Sequence, residues 1–363
     1  MKRNLPDRQP VQRDPYGGQP PVSPRQKRRK KKSIGKAVLA AIIICSFLLV
    51  VAVAGGAYIN QLLNLVDRSE VTGDADAHES DLVDPDDLSD ETDSSDAITK
   101  AAKEYEIIKD IPVRQDQDIY NILLIGTDQE NYQSRGRSDA MIILSINKKT
   151  KKIHLTSLMR AMYVAIPGKD WSMLNHAYAW GGPDLLIETI ENNFRIRIDE
   201  YVAINFSGFR KAIDLVGGVS ITLSDAEANR VNSSAGSHLQ AGDNLLNGAQ
   251  ALAYARIRKL DSDFVRTSRQ RTVIEALLKK SRSLNVIQIN NLAQNILPLV
   301  NTSLSQGKML SLMASMVHVR NYPIDQLMLP EEADRERIYV RKMEMYRFDF
   351  RKSIDRLHQF IDS

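Results

Sequence analysis

At 363 residues and a formal net charge of +4, the chain has room for more than one domain, but its charges are sorted: lysine and arginine crowd ahead of one apolar run, aspartate and glutamate behind it. The single cysteine, Cys45, lies inside that run, which leaves the rest of the chain without a disulfide framework or a thiolate metal site. Six histidines carry no HExxH or comparable spacing, which argues against a zinc hydrolase and makes any metal a hard, oxygen-bound ion.

Residues 1–36 are rich in Pro, Gln and Gly and close on the basic cluster RQKRRKKK, a composition that predicts a disordered tail. Residues 37–59 are uncharged and apolar. At about 1.5 Å per residue such a run crosses a hydrocarbon core of roughly 30 Å, so it reads as a single transmembrane helix. A cleaved signal peptide is the competing reading; the length of the run and of its basic leader favours the uncleaved anchor. Lysine and arginine on the N-terminal side place that end in the cytoplasm and the remainder outside the cell. Topology and anionic lipid account for the basic cluster, which lacks the interleaved aromatics of a nucleic-acid site.

Residues 60–100 are dominated by Asp, Glu, Ser and Thr. They predict an extracellular linker that repels itself and stays extended, and no EF-hand spacing occurs in it. Globular patterning spans 101–363. KAAKEYEIIKDI predicts a helix, IYNILLIG (119–126) a buried strand, and AMIILSIN with KIHLTSLM a hairpin turning at 148–151. PDLLIETIENNF, SGFRKAIDLVGG and residues 267–283 have helical spacing, as do 286–297, 309–319 and 348–361. The alternation predicts an α/β fold with a mixed sheet sandwiched between helices, and no solenoid repeat is present.

The densest polar cluster is ALAYARIRKLDSDFVRTSRQR (251–271), with Arg256, Arg258, Arg266, Arg269 and Arg271 interspersed with Asp261 and Asp263. A guanidinium offers paired donors to phosphate oxygens and stays charged at any working pH. On a helix starting near Val265, Arg266, Arg269 and Gln270 share a face and can converge on one anion. Surface pairing with carboxylates is the alternative for these arginines. NILLIGTD ends at Asp128 and GRSD at Asp139; where Asp128 follows a strand of an open α/β sheet, such carboxylates can hold magnesium beside a phosphate, or simply cap a turn. Arg160, after the next strand, adds a cation at the same rim. No GxxxxGK[ST] loop and no GxSxG elbow occur, which argues against a nucleotide-dependent kinase and a serine hydrolase.

The motifs NILLIGTD, GRSDAMIILSIN, SLMRAMYVAIPG, NHAYAWGGPDLL, VGGVSITL and LLNGAQALAYARIRK with DFVRTSRQR, in that order over 119–283, resemble the LytR-CpsA-Psr (LCP) family of cell-wall glycopolymer ligases. The resemblance implies an α-β-α domain behind a signal-anchor helix in a Gram-positive-type envelope. The implied activity is a Mg2+-assisted transfer of a teichoic acid, capsule or similar polymer from a polyprenyl (undecaprenyl) pyrophosphate carrier to peptidoglycan. It further implies that Asp128 and Asp139 hold magnesium, that Arg137, Arg160, Arg256, Arg258, Arg266 and Gln270 contact pyrophosphate, and that an apolar tunnel takes the lipid. The stretches 185–190 and 212–216 would line that tunnel or fill a core equally well. The family reads Ser-Ile-Pro-Arg-Asp where this chain has Ser157, Leu158, Met159, Arg160 and Ala161. Arg160 and Asp263 are then the catalytic candidates, and the missing carboxylate keeps a non-catalytic binder or regulator of lipid-linked pyrophosphate as the alternative.

Overall fold

A computed structural model describes residues 58–363 apart from 69–70, 84–86, 129–135, 258–262, 282, 285 and 320. Strands β1 (Ile119–Thr127), β2 (Ser138–Asn147) and β3 (Lys152–Leu158) form an antiparallel meander, the last two being the expected hairpin. The short pair β4 (Tyr163–Val164) and β5 (Ser172–Met173) leads into α3 (Leu174–Phe194), which follows α1 (Glu79–Leu82) and α2 (Ser95–Ile108) in chain order. Next come β6 (Glu200–Asn205), α4 (Phe206–Leu215), β7 (Val219–Leu223), α5 (Asp225–Ala235), β8 (Gly242–Leu246), α6 (Gly248–Ala255), α7 (Asp263–Ser281) and α8 (Val286–Ile296). The chain finishes with β9 (Val300–Thr302), α9 (Gln306–Val319), β10 (Ile324–Leu329), the hairpin β11 (Arg335–Val340) and β12 (Met343–Phe348), and α10 (Phe350–Asp362).

The main sheet has six strands in the order β10-β3-β2-β1-β6-β9. β1 pairs with β6, and β3 with β10, in parallel; the other neighbours are antiparallel. The carboxyl ends of β1, β3, β6 and β10 therefore lie along one edge, together with the amino end of β2. In open α/β sheets this is the edge where ligands bind.

Both faces of the sheet are covered, which is why the central strands read as near-continuous apolar runs. One face carries Leu123, Ile125, Met141 and Ile143 into a core shared with α3, α10 and β12, where Ile190, Phe194, Phe348, Phe350 and Leu357 are all buried. Each such side chain contributes about 1.5–3 kcal/mol relative to exposure. In α10 the residues Phe350, Ile354, Leu357 and Ile361 recur every three or four positions, the stripe that docks the helix. The opposite face looks toward α4, α6, α7 and α8. A second core of Ile213, Val219, Ile221, Leu246, Ala251 and Val273 ties α4, α6 and α7 to the β7–β8 hairpin.

The acidic stretch does not behave as a free spacer. Among its described residues, Val71 and Leu82 are buried, Asp74 N donates to Ala179 O at 2.8 Å, and Trp180 Nε1 donates to Ala77 O at 3.0 Å. The self-repulsion expected from composition is offset because its carboxylates meet arginines of the domain, as described below. α3 is shaped to receive it. Its backbone breaks at Gly181 and Gly182, the latter at φ +63°, just ahead of Pro183. A Cβ on Gly182 would lie 2.1 Å from Val71 O, so the contact needs glycine for both space and conformation. Residues 37–57 of the expected membrane span, and the whole basic tail, lie outside the described residues. Among the described residues no helix is long and apolar enough to cross a membrane.

Candidate active site

Asp128 is the first residue past β1, and Asp139 is the second residue of β2. Their placement follows from a bulge: Gly126 faces Ala140, but Thr127 faces Ser138, which leaves Asp139 as the extra residue. A bulge turns one side chain away from its normal alternation and is a common device beside functional sites. Here it brings Asp139 to the wall of a cavity. Its Oδ1 is buried and has no hydrogen-bond partner among the described residues. An uncompensated buried carboxylate oxygen is costly, and a cation would satisfy it.

Asp128 is held by Arg137. The Arg137 backbone N donates to Oδ1 at 2.6 Å, and its Nε and Nη2 lie 3.4 and 3.3 Å from Oδ2. Arg137 Nη1 also donates to Leu82 O at 3.3 Å, a contact from the acidic stretch. Arg160, immediately downstream of β3, is only 4% exposed, and its Nη2 donates to Asp87 Oδ1 at 2.5 Å. Among the described residues no group of three or more His, Cys, Asp or Glu could enclose a metal. A magnesium ion needs only one or two protein carboxylates, with water and phosphate completing its shell, so Asp128 and Asp139 at one strand edge fit it.

The cavity itself, about 430 Å3, lies between the sheet and α4, α6, α7 and α8. Its wall is apolar, with Leu124, Ile142, Val202, Phe209, Leu277 and Ile296 among the lining residues. Among the described residues, polar side chains enter as Asp139, Arg256, Arg266 and Gln270. Arg256 caps the end of α6 and lies over the Phe206 ring at 4.6 Å, a cation–π contact that aims it along the wall. Arg266 and Gln270 are one turn apart on α7, and Gln270 Nε2 donates to Asp139 O at 3.2 Å. Of the two apolar stretches considered for a tunnel, Ala212 and Val216 line this cavity, whereas Leu185, Leu186, Ile187 and Ile190 belong to the core on the other face.

One expectation for the arginine cluster is corrected, that Arg269 shares an anion with Arg266 and Gln270. Arg269 does not join Arg266: its Nε donates to Glu227 Oε1 at 2.7 Å and its Nη1 to Ile257 O at 3.5 Å. Arg271 points elsewhere again, with Nε on Gln326 Oε1 at 3.2 Å, and burial pushes its ionisation downward. Arg258 and Asp261 lie outside the described residues, as does the side chain of Asp263 at the start of α7.

Sequence reasoning missed a part-buried network near Arg137 and Arg160. Ser172 Oγ donates to Glu79 Oε1 and lies 2.8 Å from His176 Nδ1, while Arg341 reaches the same carboxylate, its Nη2 at 2.8 Å from Oε1. Burial works to raise the Glu79 carboxyl, but donors from His176, Arg341 and Ser172 outweigh it and hold the group at about 2. Burial also depresses His176, helped by the fields of Arg137 and Arg160. The only sequence signal was that Glu79 and Asp87 stand in an acidic run opposite an arginine-rich domain.

The match to the LytR_cpsA_psr family spans residues 87–357, and the chain belongs to that family. Two curated relatives are polyisoprenyl-teichoic acid–peptidoglycan teichoic acid transferases named TagU. That of Oceanobacillus iheyensis is 38% identical over 220 residues, 57% of this chain and 66% of that protein. That of Halalkalibacterium halodurans is 41% identical over 175 residues, 47% of this chain and 56% of that protein. The chain thus spans under two thirds of the length of either. The crystal structure of Bacillus subtilis TagT aligns with 27% identity and a TM-score of 0.57, covering 70% of this chain and 96% of that one. A structure of the same TagT (YwtF) with bound octaprenyl pyrophosphate lipid aligns with 25% identity and a TM-score of 0.55, over the same shares.

Proposed function

We propose that this protein transfers a teichoic acid or similar glycopolymer from a polyprenyl pyrophosphate carrier to peptidoglycan at the outer face of the membrane. The observation that carries the reading is the cavity, apolar along its length with cationic and amide donors where it meets the sheet edge. Its form suits an amphiphile with a long hydrocarbon tail and a doubly phosphorylated head. Tail burial at roughly 25 cal/mol per Å2 supplies most of the affinity, and the arginines supply the register.

In the reaction a sugar hydroxyl of the glycan attacks the phosphorus that bears the glycopolymer. A new P–O bond forms as the anhydride P–O bond breaks, polyprenyl monophosphate leaves, and the hydroxyl proton is released. Arg256 and Arg266 neutralise the head group, Gln270 fixes Asp139 through its carbonyl, and Arg137 and Arg160 extend the positive rim along the strand ends. Preorganised donors of this kind stabilise developing phosphoryl charge without rearranging. Asp128 and Asp139 would hold Mg2+, which supplies further neutralisation of phosphate oxygens. Residues 37–59 anchor the chain, with the domain outside; resistance to carbonate extraction, lost on deleting 37–57, checks this.

Ala161, 3% exposed in the core, supports a second reading, a binder that captures the carrier without turnover. The two separate in one assay. Full-length protein in detergent, given Mg2+, polyprenyl-pyrophosphate-linked teichoic acid and peptidoglycan, should release polyprenyl monophosphate and label the peptidoglycan. Retention of unchanged carrier would overturn the transferase and leave the binder.

A further inference from the structure

The acidic stretch ahead of α2 touches the domain at three points, the first and last of them at the catalytic edge. Leu82 O accepts from Arg137, Glu79 accepts from Ser172 and Arg341, and Asp87 accepts from Arg160. We propose that Asp87 is a positioning residue of the transferase site, fixing the Arg160 guanidinium at the end of β3 in the orientation that meets the pyrophosphate. This rests on the transferase reading above.

Three observations carry it. Arg160 is almost fully buried, and a cation with so little water around it needs a carboxylate fixed to the protein. The adjacent position cannot supply one, because Ala161 ends in a methyl group packed into the main core, with its backbone O taken by Tyr346 N at 2.8 Å. Asp87 is also itself anchored. The next residue, Leu88, bridges to Met343, Ser89 N donates to Lys342 O at 2.8 Å, and upstream Leu82 is buried. These contacts hold the Asp87 backbone beside Arg160, so its carboxylate needs little reordering to keep the guanidinium in place when a phosphate arrives. It acts as a strut for Arg160 and not as a stand-in anion awaiting displacement.

The test is steady-state kinetics of the full-length protein in detergent with polyprenyl-pyrophosphate-linked teichoic acid, with thermal melting recorded for each variant. Asp87→Asn should lower kcat about 10- to 100-fold while KM moves less than about threefold, the pattern of a misplaced group that binds but no longer aligns. Asp87→Glu should recover most of the loss, which also covers the case in which the asparagine variant folds poorly. In an Arg160→Ala background, Asp87→Asn should cost nothing further. Wild-type or faster turnover by Asp87→Asn, or a lowered KM, would overturn the proposal, since the carboxylate would then be idle or in competition with phosphate. So would an Asp87→Glu variant as slow as Asp87→Asn. Arg160→Ala as active as wild type would remove the Arg160 assignment and this inference with it, whereas an inactive Arg160→Ala beside a fully active Asp87→Asn would remove only the role of Asp87.

Discussion

Arg266 and Arg269 stand one turn apart on α7 and have opposite fates. From Arg266, the helix turns Arg269 about 60° to one side and Gln270 about 40° to the other. The second side looks into the cavity; the first meets Glu227 of α5. Arg266→Ala should therefore weaken binding of octaprenyl pyrophosphate about ten- to hundredfold, the worth of one or two charge-assisted hydrogen bonds, as titration calorimetry would read it. Arg269→Ala should instead destabilise the fold by about 1.5–3 kcal/mol in a denaturant titration, the loss of a charge-assisted hydrogen bond to the part-buried Glu227, with unchanged affinity in the folded protein. Sequence spacing could nominate both arginines but not separate them, because the neighbour across each face comes from a distant segment.

At the level of elements, the kink of α3 and the acidic stretch form one unit. Gly73 approaches the Trp180 backbone so closely that a Cβ would lie 2.2 Å from its carbonyl carbon, and Gly182 makes the reciprocal contact with Val71. Gly182→Ala should cost at least about 2 kcal/mol, from the left-handed backbone and the displaced carbonyl together. Limited proteolysis should then cut within 71–93 much faster than in the wild type, with a parallel fall in turnover. Composition pointed to a spacer here because scattered apolar residues such as Val71 and Leu82 in an acidic run make no period. What the composition omits is the partner: Arg160 and Arg341 come from two remote places and pair with Asp87 and Glu79 of the run only once the domain is folded. The glycine pair inside a helical motif was a visible irregularity whose purpose needed the fold.

Across the whole molecule, burial depresses His154, His176 and His358 below their ordinary 6.5. The unfolded chain then binds more protons, so stability falls as pH drops through about 6.5 and below. Glu79 is depressed from 4.5 to about 2, so its contribution is present above about 4.5 and is lost as pH falls toward 2. The melting temperature should decline in two acid stages, and Glu79→Gln should flatten the lower one while leaving the upper one in place. A single stage confined below pH 4, unchanged in the variant, would contradict both assignments.

The order of motifs, the apolar central strands, the helical periods and the sorting of charge about residues 37–59 were determined by the sequence alone, since each depends on neighbours within a few positions. β1, the β2–β3 hairpin and the helices ending near 215, 281, 296 and 361 follow from such local signals. Tertiary structure decided what those elements face. It placed residues 212–216 on a cavity but 185–190 in a core, turned Asp139 to the cavity face through a bulge one residue long, and brought Asp87 to Arg160 across 73 positions. The reason is physical: periodicity records which side of an element avoids water, whereas pairing depends on which remote surface arrives there.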